Sequence, residues 1–370
     1  MNYKFIKVSL TLFVVFISIS INAQEVFTVN GSVYSETDSR SIPGAQIFIN
    51  GSTIGTLSDN EGNFVLRNIP EGKHELIIQV LGFNSVKKTI STESLESNYE
   101  FILNEKIYNL DQITVEPDTE DWEYNFEEFQ DNFIGKGPFS KNTIIKNRDV
   151  INFDYDSEKR TLTTFAYERL IIENKDLGYT VYFYLEDFQL NYKEGTTSFY
   201  GQTFFEELKS NRSKTNRKWN ENRKKAYLGS FLHFTHSLID GQASQNGYVI
   251  KGEKREPKAR YVSKDTVSTT QFFQPIDSST FAFSFINFLN VTYTKEYEDI
   301  SYLRAIAKPL DSNPRTLVDF QNSSFTLLED SVLLDKNGFL LSPTSILFDG
   351  YWGFEKLSDM LPNNYTVSID

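Results

Sequence analysis

Between Glu25 and Glu116 short apolar runs alternate residue by residue with polar ones, and glycine- or proline-bearing turns separate them. Val26–Tyr34, Ala45–Asn50, Asn63–Arg67, His74–Val80 and Tyr99–Leu103 are such runs. Pro43-Gly44, Asp59-Asn60-Glu61-Gly62, Pro70-Glu71-Gly72 and Gly82 punctuate them. A period of two puts one face of each run in a core and the other toward solvent, so the pattern predicts an all-β sandwich of about seven strands. No helical stripe interrupts it.

Composition narrows the chemistry. The 370 residues include no cysteine, three histidines, 37 lysines and arginines and 50 acids, for a net charge of −13. The absence of cysteine excludes disulfide scaffolds, thiolate metal sites, cysteine nucleophiles and an acylated N-terminal cysteine. The acidic balance argues against nucleic acid as a partner.

Ahead of the sandwich, Lys4 and Lys7 precede an apolar run from Val8 to Ile21, and Ala23 follows. This is the layout of a secretory leader over residues 1–23, cleaved after Ala23. It predicts an exported protein of the periplasm or the outer-membrane periphery. No later stretch reaches the ~20 apolar residues of a spanning helix.

The order Gly31-Ser32-Val33, Pro43-Gly44-Ala45-Gln46-Ile47-Phe48-Ile49, Gly55-Thr56-Leu57-Ser58-Asp59, Gly62-Asn63-Phe64, Ile69-Pro70-Glu71-Gly72 and Leu81-Gly82-Phe83 resembles the carboxypeptidase regulatory-like domain. The resemblance implies a prealbumin-like seven-stranded sandwich over residues 25–116. Such domains precede many TonB-dependent transporters and other exported proteins of Gram-negative bacteria. Its signature residues are turn and core residues, so it brings no catalytic group. A zinc carboxypeptidase needs His-x-x-Glu, and none of His74, His233 or His236 has Glu three residues on. Asp59–Gly62 and Asp335-Lys336-Asn337-Gly338 lack the full set of calcium ligands and read as hairpin turns. No catalytic residue, metal site or cofactor is read from the sequence.

Residues 119–370 read as an α+β domain, β-rich with one long helix. Trp122, Phe126, Phe129 and Phe133 make the stripe of an amphipathic helix that starts near Thr119 and ends near Gly135. Strands are expected at Thr143–Lys146, Val150–Tyr155, Thr161–Ala166, Arg169–Glu173, Gly178–Tyr192 and Thr196–Phe205. In the fifth, both faces are bulky, which suits a strand covered on both sides or lining a groove. Tyr182 lies on its tyrosine-rich face. Further strands fall in Phe281–Thr294, Phe325–Leu334 and Ser345–Phe348, with an exposed loop over Gly252–Thr270 and a short helix over Gly353–Leu361. The polar helical insert and the polar final residues argue against a membrane β-barrel.

The one basic block, Lys209–Lys225, sets eight cationic residues against Glu221 alone. The long helix is expected from about Thr215 to Ile239. It places Trp219, Arg223, Tyr227 and Phe234 within one ~120° sector, with His233 at its edge. Arg223 thus falls in an apolar stripe, where a charge must be paired or line a cavity. The block could be a solvated face with Arg223 paired to a core carboxylate. It could form a groove for a phosphate, carboxylate or acidic glycan, with Arg223 and His233 as donors. It could also dock an acidic protein or a membrane surface. Segments from Asp121-Trp122 to Gly350-Tyr351-Trp352-Gly353 also resemble a recurrent region that follows the regulatory-like domain in exported proteins.

Two functions are compatible with this reading. One is a non-catalytic binding or assembly protein of the cell envelope, with an envelope protein or an anionic small ligand or glycan as partner and possible peripheral outer-membrane association. The other is a periplasmic hydrolase of peptides or glycans with its site around Tyr182, Arg223 and His233.

Overall fold

The computed structural model describes residues 25–106, 119–306 and 319–367. The expected leader and the boundary near Pro117 lie outside the described residues.

Seven strands form the N-terminal sandwich: Val26–Ser35 (β1), Gln46–Ile49 (β2), Gly55–Leu57 (β3), Asn63–Pro70 (β4), Lys73–Gln79 (β5), Val86–Ser91 (β6) and Tyr99–Leu103 (β7). One sheet runs β4-β1-β7 and the other β3-β2-β5-β6. The alternation does what a period of two requires. Val29, Val33, Ile47, Ile49, Leu66, Leu76 and Phe101 fill the space between the sheets. The Asp59 carboxylate caps its turn by accepting from the backbone of Glu61 at 3.0 Å and Asn63 at 2.8 Å.

Helix α1 spans Thr119–Phe133. Its buried Phe129 and Phe133 meet a six-stranded sheet built from Thr143–Ile145 (β8), Ile151–Asp156 (β9), Thr161–Ala166 (β10), Leu170–Asn174 (β11), Tyr179–Asn191 (β12) and Thr196–Glu207 (β13). The order is β8-β11-β12-β10-β9, with β13 also on β12. Phe129 packs edge-on against Phe188 at 4.8 Å and Phe133 against Phe183 at 4.9 Å. The aromatic stripe of α1 is core.

The long helix of the sequence reading is two helices, Ser213–Tyr227 (α2) and Phe231–Ile239 (α3). Leu228 turns extended, Gly229 takes φ +81°, and the Ser230 hydroxyl caps α3 by accepting from the His233 amide at 3.2 Å. A positive-φ glycine ends one helix and a serine N-cap starts the next, which breaks a stripe that periodicity alone had joined.

The remaining strands are Tyr248–Glu256 (β14), Ala259–Thr266 (β15), Phe273–Pro275 (β16), Thr280–Phe283 (β17), Phe288–Tyr297 (β18), then helix Ile300–Ile306 (α4), Phe320–Leu327 (β19), Val332–Asp335 (β20), Ile346–Gly350 (β21) and the single turn Tyr351–Phe354 (α5). They make a five-stranded sheet, β15-β14-β18-β19-β21, and a three-stranded one, β16-β17-β20. Phe234, Tyr248, Phe283, Val291, Phe325 and Trp352 fill this second lobe. The expected exposed loop at Gly252–Thr270 is instead the β14–β15 hairpin. Nearly all of β15 is exposed, so no apolar period marked it; backbone pairing and the Arg260–Glu253 ion pair at 2.7 Å hold it. The short helix expected over Gly353–Leu361 reduces to the end of α5 and a 3₁₀ turn at Leu357–Asp359.

The sandwich is seated on both lobes. Phe48 points away from Ile47 and Ile49, onto the outer face of β12 and β13, against Tyr184 at 5.8 Å and Phe204 at 5.5 Å. The Gly51 amide donates to Thr203 O at 2.8 Å, and the Phe205 amide to Ser52 O at 2.9 Å. On the other lobe, Lys73 pairs with Asp277 at 2.9 Å and Lys336 pairs with Glu71.

Candidate functional site

The five residues singled out from the sequence fall in separate settings. Trp219 sits partly buried on α2, its indole donating to Lys175 O at 2.9 Å. One turn on, Arg223 is buried. Its Nε donates to Leu177 O at 2.7 Å and its Nη2 to Gly178 O at 3.1 Å, and only the exposed Glu207 reaches it as an acid, at 3.5 Å. The expected core carboxylate is absent from its surroundings among the described residues; carbonyls take that place. Tyr227 is buried where the helices part, donating its hydroxyl hydrogen to His236 Nδ1 at 2.8 Å. The other imidazole nitrogen, His236 Nε2, donates to Asn337 O at 2.7 Å.

His233 is buried in the first turn of α3. Its Nδ1 accepts from the Gly229 amide at 3.2 Å and the Tyr248 hydroxyl at 2.8 Å. Burial first, then the neighbouring His236 and Lys295, push it down to about 4, so the ring is neutral near pH 7.

Tyr182 lies elsewhere, on the outer face of β12. Its hydroxyl donates to Glu206 at 2.9 Å, and the Arg169 guanidinium lies 4.5 Å over its ring. It lines an open groove of about 770 Å³ between the sandwich and the β12–β13 face, with Gln46, Tyr184 and Phe204. Much of this wall is satisfied internally: Arg169 and the Tyr184 hydroxyl both donate to Gln46 Oε1, at 2.6 and 2.7 Å. A hydrolase centre would need Tyr182, Arg223 and His233 in one concavity. Arg223 and His233 line neither this groove nor the second cavity.

That second cavity, of about 340 Å³, opens where both lobes and the sandwich meet. Phe183, Phe199 and Phe205 from the first lobe and Phe231, Phe348 and Trp352 from the second line it, and Asn50 and Gly51 enter from the sandwich. Glu355, Lys356 and Asp359 form its polar side. Burial holds Glu355 well above the usual carboxylate range, and Asp359 and Glu296 nearby push it further. Asp359 is raised to about 6 by burial, opposed by hydrogen bonds from the Ser358 hydroxyl and the Lys356 amide. Burial lowers Lys356. An apolar hollow with a few polar groups at one side is the usual form of a small-molecule site. Sequence reading missed it because its walls come from distant segments. Glu355 and Asp359 at spacing four were the only local trace.

Among solved structures, similar folds include 3-chlorocatechol 1,2-dioxygenase from Rhodococcus opacus 1CP, at 12% identity over 24% of this chain and 62% of that one, with a TM-score of 0.19. The major pilin subunit of Bacillus cereus matches at 14% identity over 22% of this chain and 30% of that one, with a TM-score of 0.19. These scores are too low to carry an argument. Among curated proteins, TonB-dependent receptor P3 of Formosa agariphila is 30% identical over 114 residues. The match covers 31% of this chain and 11% of the receptor, so the chain spans about a tenth of that relative's length. The family model of the CarboxypepD_reg-like domain matches residues 29–115. Sandwich, turn chemistry and family match coincide, and this segment is a CarboxypepD_reg-like domain.

Proposed function

We propose that this protein is an exported, non-catalytic binding or assembly protein of the cell envelope, held at the periplasm or the outer-membrane periphery. The observation that carries this reading is the CarboxypepD_reg-like domain itself, seated on a second β-rich body while parts of its strand rims stay open. Val65 on β4 and Ile102 on β7 are exposed, on the two edge strands of one sheet. Among the described residues no further strand pairs with the outer edge of either, and such edges offer a partner strand a ready ladder. A TonB-dependent receptor carries a similar segment, which supports an envelope setting. The leader expected from the sequence over residues 1–23 supports export.

The test places a photo-crosslinking residue at Val65 or Ile102 in the full chain and illuminates intact cells. Adducts with an envelope protein that form from these positions, and not from exposed Ile286 on the far lobe, are the expected result. Recovery of the protein from the cytosol with residues 1–23 retained would sink the proposal.

A further inference from the structure

We propose that the cavity between the two lobes binds a small organic cation: an amine carried on an apolar or aromatic body. This goes beyond the envelope reading and does not depend on it.

The argument rests on what surrounds the acids. Among the described residues, no hydrogen-bond donor meets the Glu355 carboxyl. Asp359 has the Ser358 hydroxyl at 3.0 Å and the Lys356 amide at 3.4 Å. Glu296 faces the same region, and Gln321 donates to it at 3.2 Å. Asp299 also acts on Asp359, but Lys225 pairs with it at 3.3 Å. Lys356, next in the chain to Glu355, makes no ion pair among the described residues. Among the described residues neither carboxyl therefore has an ion pair, and Lys225, which acts on Asp359, is paired with Asp299. Burying such groups is costly unless they are neutralised, and without a counter-charge a proton does that.

The walls decide which cation fits. Among the described residues no three acidic or histidine side chains are grouped to hold a metal ion. Much of the remaining lining is aromatic, with Phe231, Phe348 and Trp352 on one side and Phe183 and Phe199 on the other, and Leu232, Leu340, Met360 and Leu361 add aliphatic surface. Ring faces attract an ammonium and cover an apolar body. The volume lies at the low end of the ~300–1,000 Å³ that small-molecule pockets span. At pH 7.5 Asp359, at about 6, is already ionised, so an entering ammonium takes over from the proton on Glu355 and binding releases it.

The experiment is calorimetric titration of the full chain at pH 7.5 with 2-phenylethylamine, with 2-phenylethanol as neutral isostere and 3-phenylpropionate as anion. Each is run in two buffers of different ionisation heat. The amine is expected to bind at least tenfold more tightly than either comparator, with net proton release. Glu355→Gln is expected to weaken it at least tenfold with the urea midpoint no lower than wild type. Asp359→Asn serves as the second variant should the first fail to fold. The proposal is overturned by an alcohol that binds as tightly as the amine, by preference for the carboxylate (which would make Lys356 the anchor), by an amine affinity indifferent to both substitutions, or by no binding of the amine at millimolar concentration.

Discussion

The guanidinium of Arg223 lies 4.0 Å over the ring of Tyr179, while its nitrogens donate to the carbonyls of Leu177 and Gly178. The residue thereby fastens α2 to the loop that feeds β12. Arg223→Ala leaves the Leu177 carbonyl without its donor, takes one of two donors from the Gly178 carbonyl, which keeps the Leu208 amide, and removes the ring contact. A loss of about 2–4 kcal/mol is expected in urea unfolding. Arg223→Lys, which cannot span both carbonyls in the same geometry, should fall between. A change below about 0.5 kcal/mol for Arg223→Ala would refute this fastening role.

The junction of α2 and α3 depends on Gly229. Its φ is +81°, and a Cβ there would stand 2.2 Å from Gln321 Oε1 and 2.9 Å from the Tyr293 ring. Gly241 shares a positive φ of +66° but has nothing within 4 Å of that position. Gly241→Ala should cost about 1–2 kcal/mol from backbone strain alone, and Gly229→Ala clearly more. Equal losses in thermal unfolding would show that the helix break tolerates a side chain.

His233 sets an acid limit. Its folded value, about 4, lies below the ~6.5 of an unfolded histidine. Below pH ~6.5 the unfolded chain gains a proton that the folded chain refuses, so stability falls with pH until about 4 and then levels. The loss attributable to this ring is on the order of 3 kcal/mol. Urea midpoints at pH 7.5, 5.5 and 4.5 would trace it, and His233→Gln should flatten the slope over that window.

Asp359 has the opposite sign. Its folded value, about 6, lies above the ~4 of a free aspartate. Relative to the ionised form, it favours folding below pH ~4 and loses that contribution as pH rises through 6. Asp359→Asn should therefore stabilise the protein by on the order of 1–3 kcal/mol at pH 8 and change it little at pH 4. Glu355→Gln should act in the same direction. Stabilisation that is the same at both pH values would show that ionisation is not the cause.

The sandwich was legible because its signals are local. Alternation at Ala45–Asn50 and the turn Asp59–Gly62 need no knowledge of the rest of the chain. The strands from Thr143 to Phe205 and the stripe of α1 were legible for the same reason. Leu228-Gly229-Ser230 carried both a helix stop and a helix start, yet the hydrophobic stripe runs through them in phase, and phase outweighed caps in the reading. β15 left no trace in pattern because its side chains face water. The cavity was least legible: Phe183, Phe231, Trp352 and Glu355 meet only through tertiary packing, and no spacing encodes that.

The seating of the sandwich has a temporal side. The Thr53 amide donates to Asn364 Oδ1 at 3.1 Å, and the Asn363 amide to Gly51 O at 2.7 Å, across 311 positions in the first case. A chain delivered N-terminus first presents the Gly51–Thr53 loop early and the Asn364 clasp only 311 positions later. The sandwich can complete its own ladders meanwhile, but its seat closes last. A nascent chain that still lacks Asn363 and Asn364 would hold this loop through Thr203 and Phe205 alone, and the Asn363–Asn364 segment completes the latch.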